Sequence, residues 1–435
     1  MTRFTCLMLA AVTLAAAALP MRAQQDTTRG VRIGLSYQPG VKPGVVVVPV
    51  SGSWGDTVQT MLQRDLDFGD RVTVMSGDAV NATATAQGSG GVNFGVWKTL
   101  GAAALVQVTL APAGAHVILY DIGARRVAQV RDFPLGGRYG DAHWRLDVHG
   151  MSDEIERWIT GVRGIARTRI LYVRAGRVYV IDSDGYGARA VTDAGTVMGP
   201  AWSPDGHTIA YSKLGSKGWS IEIRDLDSGA EHTLDATPGG LNMTPAFTPD
   251  GKSIAYGHGL ENGTDIYLAS VSGSGPARRV TVGRGTDNVS PSFSPDGSRL
   301  AFTSGRNGHP EVYTADVDGS NTDLLTPFNF GDQNYRSNPE WSPDGLTIAF
   351  QSQLAGRFQI MTITLRDRTV KQLTNDGINE DPSWAPDGRH LVFTSSRTGT
   401  KQLFVLDAES GRTRQLTHAD GARLAAWSRY LAPTP

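Results

Sequence analysis

The chain has 435 residues, with 41 lysines and arginines against 42 aspartates and glutamates, and charged residues make up 19% of it. A chain of this length divides into two or three domains, and its balanced charge excludes a basic nucleic-acid-binding protein and a disordered polyelectrolyte. The 52 glycines and 22 prolines indicate many tight turns between short strands, which excludes a long helical bundle.

The first 23 residues have the composition of a secretory signal peptide. Arg3 supplies a positive charge, residues 7–19 form an apolar run too short to span a bilayer, and residues 20–23 predict a cleavage region. Cleavage after Ala23 removes Cys6, the one cysteine, so the mature protein needs no disulfide chemistry. We expect an exported, soluble product.

The residues between this signal and position 165 alternate between short apolar strands and helices. One predicted helix carries Trp144, Val148 and Met151 at three- and four-residue spacing, and Gly161 ends it. Mixed strands and helices predict a small α/β domain. The predicted strands are 31–33, 45–50, 71–75, 104–110, 116–120 and 127–133, and the predicted helices are 54–66 and 141–160.

A repeat dominates the rest of the chain, with five near-complete copies of the pattern Pro-x-aromatic-Ser/Thr/Ala-Pro-Asp-Gly and a degraded sixth. Within each turn the second proline fixes φ, and the glycine accepts a left-handed conformation. The first proline opens a short strand, an apolar strand follows the turn and two more strands complete the repeat, so each copy predicts one four-stranded propeller blade. The repeated aromatic residues are Trp202, Phe247, Phe293, Trp341, Trp384 and Trp427.

The two ends of the repeat region complement each other. Residues 169–192 have the pattern of a blade without its first strand, and residues 423–430 that of a first strand without its blade. Joining them closes a ring of six blades and leaves no open sheet edge. The sequence therefore predicts an α/β N-terminal domain over 24–165 and an all-β six-bladed β-propeller over 166–435, closed by the C-terminal strand.

Six short motifs stand outside the repeated turns: Arg64-Asp-Leu66, Trp97-Lys-Thr-Leu-Gly-Ala, Leu119-Tyr-Asp121, Ser152-Asp-Glu-Ile155, Arg167-Thr-Arg-Ile170 and Trp427-Ser-Arg-Tyr-Leu431. In this order they resemble the TolB family, the periplasmic propeller proteins of the Tol–Pal cell-envelope system. The resemblance extends over essentially the whole mature chain. Gly150 and Ala166 depart from the family pattern, which has an uninterrupted helix and an aromatic residue at these positions.

No motif for catalysis or cofactor binding occurs in the chain. It lacks Gly-x-Ser-x-Gly, His-Glu-x-x-His and Gly-x-x-x-x-Gly-Lys-Ser/Thr patterns, and its nine histidines do not recur at one blade position. Asp182-Ser-Asp-Gly and Asp316-Val-Asp-Gly resemble the start of calcium loops, so structural calcium stays open, although turns explain them better. We expect no catalytic residue and no cofactor. The aspartates of the repeated turns are predicted to accept local backbone hydrogen bonds, at positions 205, 250, 296, 344 and 387.

The segments just before the first strand of each blade vary, whereas the framework is constant, and we expect them to form loops at one mouth of the channel. Ordinary solvated loops are the alternative. In the TolB family this mouth receives the peptidoglycan-associated lipoprotein, and Leu241, Thr244, Val289 and Ser290 match the family's contact positions. The predicted partner-binding residues are Leu241, Asn242, Met243, Thr244, Asp287, Asn288, Val289, Ser290, Arg336, Ser337, Asn338 and Glu380.

The resemblance implies a non-enzymatic periplasmic scaffold that links inner-membrane Tol proteins to the peptidoglycan-associated lipoprotein. Such a scaffold supports outer-membrane integrity and constriction at cell division. The inner-membrane component is expected to bind the N-terminal domain and the segment 24–33. The alternative is an exported propeller acting as a ligand-binding sensor or a hydrolase, and a hydrolase needs convergent histidine, glutamate or metal ligands on the channel.

Overall fold

The structure is a computed structural model of the chain. The predicted signal peptide and the predicted strand 31–33 lie outside the residues that it describes. In the described part, no helix combines the length and the hydropathy that a membrane span requires. The described residues are 41–75, 92–234, 240–283, 286–326, 335–419 and 421–432.

The N-terminal part of the described chain forms a five-stranded sheet with three helices, in the strand order β2-β1-β3-β4-β5. Strand β1 is parallel to β2 and β3, and the remaining pairs are antiparallel. The elements are β1 Gly44–Val47, α1 Gly55–Phe68, β2 Thr73–Val74, α2 Phe94–Thr99, β3 Ala102–Ala111, β4 Gly114–Asp121, β5 Arg126–Pro134 and α3 Ala142–Thr160. We call this part the N-terminal sheet.

Helices cover both faces of the N-terminal sheet. Alternate side chains of a strand point to opposite faces, so neighbouring residues of β1 contact different helices. Val45 and Val47 pack with the buried faces of α1 and α3, whereas Val46 packs with Trp97 of α2. Strand β1 is therefore apolar on both faces, as a strand buried on both sides requires. The short helix α2 has no counterpart among the sequence-based predictions, since six residues are too few for a periodic pattern.

Helix α3 follows its predicted bounds and has a cap at each end. The carboxylate of Asp141 accepts a hydrogen bond from the backbone N–H of Trp144 at 2.8 Å, and Gly161 ends the helix at φ 81°. Its apolar stripe, which includes Trp144 and Met151, is buried against α1 and the sheet. The predicted three- and four-residue periodicity is thus confirmed.

The rest of the chain consists of short antiparallel strands around a channel, and the predicted β-propeller is confirmed. Four sheets have four strands each, and β9–β16 form one larger sheet. The strands are β6 Arg169–Arg174, β7 Arg177–Asp182, β8 Arg189–Ala190, β9 Thr196–Trp202, β10 Thr208–Gly215, β11 Gly218–Asp225, β12 Glu231–Leu234, β13 Leu241–Phe247, β14 Ser253–Leu260, β15 Gly263–Ser270, β16 Arg278–Arg279, β17 Asn288–Phe293, β18 Arg299–Ser304, β19 Glu311–Asp316, β20 Asp323–Leu324, β21 Arg336–Trp341, β22 Thr347–Leu354, β23 Arg357–Thr364, β24 Val370–Gln372, β25 Asn379–Trp384, β26 His390–Ser395, β27 Gln402–Asp407, β28 Thr413–Gln415 and β29 Arg423–Trp427.

The C-terminal strand joins the first sheet of the propeller, in the order β29-β6-β7-β8. Arg423 pairs with Val173 and Trp427 with Ile170, in antiparallel register. The indole N–H of Trp427 also donates to the hydroxyl of Thr168 at 2.8 Å, and the Trp427 side chain is buried. The predicted pairing of the two incomplete segments is confirmed.

The repeated turns have the predicted local hydrogen bonds. Asp296, for example, accepts from the Ser294 hydroxyl at 2.6 Å and from the Ser298 N–H at 3.0 Å. Asp387 accepts the N–H of Arg389 at 3.0 Å in the same way, but it also receives the guanidinium of Arg71 at 3.0 Å. This turn is thus used both locally and as a contact to the N-terminal sheet.

The N-terminal sheet contacts the propeller through the end of α1, and we call this contact region the junction. Phe68 stacks on His390 with 6.3 Å between the ring centroids. The Arg414 guanidinium also lies over the Phe68 ring, 3.0 Å from its centroid. Arg71 adds the ion pair with Asp387. Aromatic stacking and charge pairs together fix the N-terminal sheet on the strands β25–β28.

A buried histidine lies in the same junction. The Nδ1 atom of His149 on α3 is 2.8 Å from Asp65 of α1, and its Nε2 atom is 3.4 Å from Asp184, which follows β7. Burial alone lowers the pKa of His149, but the two carboxylates outweigh burial and raise the pKa to about 10. Burial raises the pKa of Glu156 to about 8, against the opposing charge of Arg71.

We predict that the stability of the junction falls as the pH rises. A histidine whose pKa is raised stabilises the fold below its unfolded pKa, and this stabilisation is lost as the pH rises through the folded pKa of about 10. Glu156 acts in the same direction up to about pH 8, since its neutral form is the favoured one. The free energy of unfolding in urea, measured from pH 6.5 to 10, should fall by several kcal/mol, because each pH unit over which the folded state holds one extra proton costs about 1.4 kcal/mol.

Two variants separate these contributions. His149→Gln should flatten the upper part of the pH profile, and Glu156→Gln, which is isosteric, should flatten the part below pH 8. A profile that is unchanged in both variants would contradict the assignment of the pH dependence to the junction.

We predict that the ring depends on its last strand. Removing residues 422–435 deletes β29 and exposes the edge of β6, so cooperative unfolding or soluble product should be lost. Trp427→Ala, a milder change, should cost about 3–5 kcal/mol of unfolding free energy because the indole is buried and hydrogen-bonded. Removing residues 433–435 alone is the control. Unchanged melting of the longer truncation would argue against closure through β29.

Candidate partner-binding site

The predicted partner-binding residues lie at one mouth of the channel, but most of them are in strands instead of loops. The strands that line the channel begin at this mouth, several residues before the proline that was expected to open them. Asp287 alone precedes its strand. The others are Leu241, Asn242, Met243 and Thr244 in β13, Asn288, Val289 and Ser290 in β17, Arg336, Ser337 and Asn338 in β21, and Glu380 in β25.

A ring of left-handed residues explains why these segments are strands with an irregular register. Each channel-lining strand contains one residue with φ between 52° and 55°, and each shifts its register at this point. A left-handed conformation costs a residue with a side chain about 1–2 kcal/mol, so surrounding contacts must stabilise it. These residues, which we call the collar, are Gly199, Thr244, Ser290, Asn338, Asp381 and Leu424.

Hydrogen bonds connect the collar residues from one strand to the next. The N–H of Ser290 donates to the hydroxyl of Thr244 at 3.1 Å, and the Ser290 hydroxyl donates to the Asn338 side-chain carbonyl at 3.0 Å. The Asn338 amide then donates to the carboxylate of Asp381 at 2.7 Å. Burial raises the pKa of Asp381 to about 6, and the Asn338 hydrogen bond opposes this rise. Four neighbouring strands are thus linked through the side chains of the collar.

Three of the predicted contact residues are buried and support the mouth from within. Asn288 is 0% exposed and donates to Asp265 at 2.9 Å, and Asn242 is 2.8 Å from the ring of His258. Ser337 accepts a hydrogen bond from a glutamine amide of β22. Asn242, predicted to bind a partner, is therefore not available at the surface, because its amide is used inside the sheet.

Other predicted residues do reach the surface of the mouth. Leu241 is 45% exposed and Asp287 is exposed, while Val289 is half-buried. Arg336 contacts the buried carboxylate of Glu311 with two hydrogen bonds of 2.9 and 3.1 Å, so its charge is largely neutralised. Glu380 similarly pairs with a lysine of the neighbouring turn at 2.6 Å.

The mouth also carries apolar residues that sequence reasoning did not single out. Leu214 and Trp219 flank the tight turn between β10 and β11, and Trp219 pairs with Leu241 across the two strands. Tyr335 is 41% exposed and packs against Phe358 with 5.4 Å between ring centroids. For Leu214 and Trp219, the sequence signal that could have revealed them is an apolar residue next to a glycine of the turn between β10 and β11. We call the exposed residues of the mouth, Leu214, Leu241, Asp287 and Tyr335, the rim.

The opposite end of the channel contains a cavity of about 460 Å³ lined by the repeated prolines and aromatic residues. Glu340 lies on its wall, and burial raises its pKa to about 8 against hydrogen bonds from the Trp384 N–H and the Ser383 hydroxyl. These two bonds connect one channel strand to the next. Within the described ranges, no histidine or second reactive carboxylate faces Glu340 across this cavity. The arrangement binds strands together and has no partner for acid–base chemistry.

One group of side chains has the spacing of metal ligands, namely Asp65, His149 and Asp184 in the junction. The carboxylate of Asp184 forms ion pairs with two arginines, Arg145 at 2.5 Å and Arg64. The raised pKa of His149 favours the protonated imidazole, which cannot bind a metal. The donor set therefore fits a buried ion-pair network better than a metal centre.

We predict that Asn338 keeps the collar intact. Asn338→Ala removes the amide donor to Asp381 and places alanine at φ 52°, so it should cost about 2–4 kcal/mol of unfolding free energy. Asn338→Gly removes the same hydrogen bond but tolerates the backbone, and should cost about 1 kcal/mol less than alanine. Both losses should shrink below pH 6, where Asp381 is neutral. Equal stability of the alanine and glycine variants would contradict a strained collar.

Comparisons with known proteins agree with this architecture. Residues 156–431, more than half of the chain, match the family model described as the TolB beta propeller domain. The chain is 28% identical over 208 residues to the Tol-Pal system protein TolB of Haemophilus influenzae, covering 44% of this chain and 47% of that protein. It is 31% identical over 219 residues to the protein of the same name from Methylococcus capsulatus, covering 48% and 51%. The chain spans about half the length of the curated relatives it matches.

A solved structure shows the same fold over a longer stretch. The crystal structure of TolB from Acinetobacter baumannii superposes with a TM-score of 0.76 and covers 90% of this chain and 98% of that chain, at 24% sequence identity. The match extends to both the N-terminal sheet and the propeller, because its coverage exceeds the propeller alone. By its family model and its relatives, this chain belongs to the TolB family.

Proposed function

We propose that the chain is a non-enzymatic periplasmic scaffold of the Tol–Pal system. It links inner-membrane Tol proteins to the peptidoglycan-associated lipoprotein, and thereby supports outer-membrane integrity and constriction at division. The observation that carries this proposal is the rim: different exposed side chains on a mouth whose backbone is fixed by the hydrogen-bonded collar. A rigid scaffold with variable surface residues is the usual arrangement of a recognition surface.

The lipoprotein is proposed to dock on the mouth, with apolar residues at the centre of the contact and charges around them. Leu241 is exposed and Val289 is half-buried beside the collar residue Ser290, so both can contact a partner. Asp287 makes no ion pair within the described residues, whereas Arg336 and Glu380 already have internal partners. We therefore expect Leu241, Val289 and Asp287 to contribute most of the contact with the lipoprotein.

We further propose that the propeller has six blades and that the chain divides into an α/β domain over 24–165 and a propeller over 166–435. The larger sheet supports the blade count, since β9–β12 and β13–β16 each repeat the four-strand pattern and are joined through one bridge, between Trp219 and Leu241. Helix α3 ends at Thr160, just before the proposed boundary. The helices on both faces of the N-terminal sheet support the α/β assignment.

The inner-membrane link is proposed to use residues 24–33, which lie outside the described residues, together with the N-terminal sheet. Residues 24–30 are polar and unpatterned, as a binding arm requires. Export to the periplasm rests on the signal-like composition of residues 1–23 and on membership of the TolB family.

A non-enzymatic role is supported by the chemistry of the channel. In the described ranges, Glu340 and Asp381 are each held by hydrogen bonds to neighbouring strands. Glu340 lies beside the Ser383 hydroxyl, but among the described residues that line the cavity no histidine or metal ligand accompanies this pair. A sensor of small ligands remains the second candidate, because the cavity of about 460 Å³ is large enough for one.

We predict that charges placed on the mouth abolish capture of the lipoprotein. Leu241→Glu combined with Val289→Glu should weaken binding by about 2–4 kcal/mol, since truncated or charged contact centres lose this much. Binding of purified peptidoglycan-associated lipoprotein would be measured by calorimetry, and the melting temperature would be measured in parallel.

Leu346→Glu provides the matched control. Leu346 is 63% exposed and lies in the turn between β21 and β22, at the opposite end of the channel strands from the mouth. This variant should bind like the unmodified protein. Undiminished capture by the folded double variant would place the lipoprotein elsewhere and favour the sensor.

A further inference from the structure

A second candidate binding surface lies far from the propeller mouth, between strand β5 and helix α3. Here the structure has a groove of about 740 Å³, whose walls include Arg131 and Phe133 of β5 and Met151 and Arg157 of α3. The scaffold role proposed above makes no use of this groove. It is larger than the cavity in the propeller channel, and it is open along one side of the N-terminal sheet.

Strand β5 is the last strand of the N-terminal sheet, and in the described ranges β4 is the one strand that pairs with it. Alternate residues along its nine-residue length therefore offer backbone N–H and C=O groups at the outer edge, although Pro134 has no N–H to donate. An edge of this length is a template for an added strand unless something covers it. A groove between an edge strand and a helix is the geometry in which PDZ and PTB domains add a peptide strand.

The groove has an excess of positive charge. Four arginines line it, at positions 131, 157, 163 and 167, against the two carboxylates of Asp147 and Glu154. Arg131 and Arg157 are 55% and 53% exposed, whereas Glu154 is 15% exposed and is shared by both of them. The accessible charge is therefore cationic, and it favours a ligand that carries carboxylates.

A glycine in the middle of α3 shapes the floor of this groove. A Cβ atom at Gly150 would lie 2.7 Å from the guanidinium of Arg167, which pairs with Asp147 at 3.1 Å. Glycine inside a helix costs roughly 0.5–1 kcal/mol relative to alanine. Here that cost is linked to placing Arg167 against the helix, where it pairs with Asp147, so Arg131 and Arg157 carry the accessible positive charge of the groove.

We propose that the groove binds an extended acidic peptide segment of a partner protein, which adds to the sheet as a strand along β5. Alternate side chains of such a strand point to the same face. Arg131, Phe133, Met151 and Arg157 all line the same groove, so the side chains that face it, at every second position of the strand, would include carboxylates for the two arginines and apolar groups for Phe133 and Met151. The proposal goes beyond the scaffold role, which names no contact residue on the N-terminal sheet, and it uses no residue of the rim or the collar.

The test uses the mature chain from residue 24 and a fluorescein-labelled peptide with the repeat Glu-Ser-Val-Ser, which places glutamate and valine in turn on one face of an extended strand. The glutamate peptide should bind saturably, and matched peptides with lysine for glutamate, or with proline at alternate positions, should bind at least about tenfold more weakly. Arg131→Glu combined with Arg157→Glu should weaken the glutamate peptide by at least about tenfold. Arg126→Glu, on the same strand but outside the groove, is the matched control and should change little.

Hydrogen exchange locates the peptide. The amides of Arg126–Pro134 should gain protection when the glutamate peptide binds, a change that a purely structural role of the arginines would not produce. Equal affinity for the lysine peptide, absent binding of the glutamate peptide, or unchanged exchange of β5 would overturn the proposal. Protection of β5 without peptide that disappears when residues 24–40 are removed would assign the groove to the chain's own arm and would also overturn it.

Discussion

Hydrogen bonds between β29 and β6 join two ends of the propeller sequence, and the bond from Trp427 to Thr168 spans 259 positions. This closure covers the edge of the first propeller sheet, so that the ring has no open strand there. It also fixes the segment that leads from α3 into β6, because Thr168 lies in it. The placement of the N-terminal sheet and the shape of the mouth both depend on a ring that is closed.

The mouth has two kinds of residue: collar residues whose side chains hold neighbouring strands together, and rim residues whose side chains are exposed. Thr244, Ser290, Asn338 and Asp381 use their side chains to hold neighbouring strands, so their identities are set by internal hydrogen bonds. The exposed rim residues, such as Leu241, make few internal demands. A TolB-like protein can therefore change what its mouth recognises without changing how its strands pack.

Local patterns predicted those features that depend on local chemistry. The spacing of Trp144 and Met151 predicted α3, and the Ser-Pro-Asp-Gly sequences predicted the turns. The left-handed φ of Asn338 was not predictable, because a residue before proline favours the extended region and only contacts from other strands impose this conformation. His149 was missed for a similar reason: its partners Asp65 and Asp184 come from distant parts of the chain.

The closing ladder has a mechanical consequence. The segment after α3 enters the propeller as β6, and β6 lies antiparallel to the final strand β29. Tension transmitted from the N-terminal sheet would act along β6 and would load its hydrogen bonds to β29 together, in shear. Resistance to pulling is governed by the rate of unfolding and not by the equilibrium stability. Such a load would pass through the same strand pair that completes the ring.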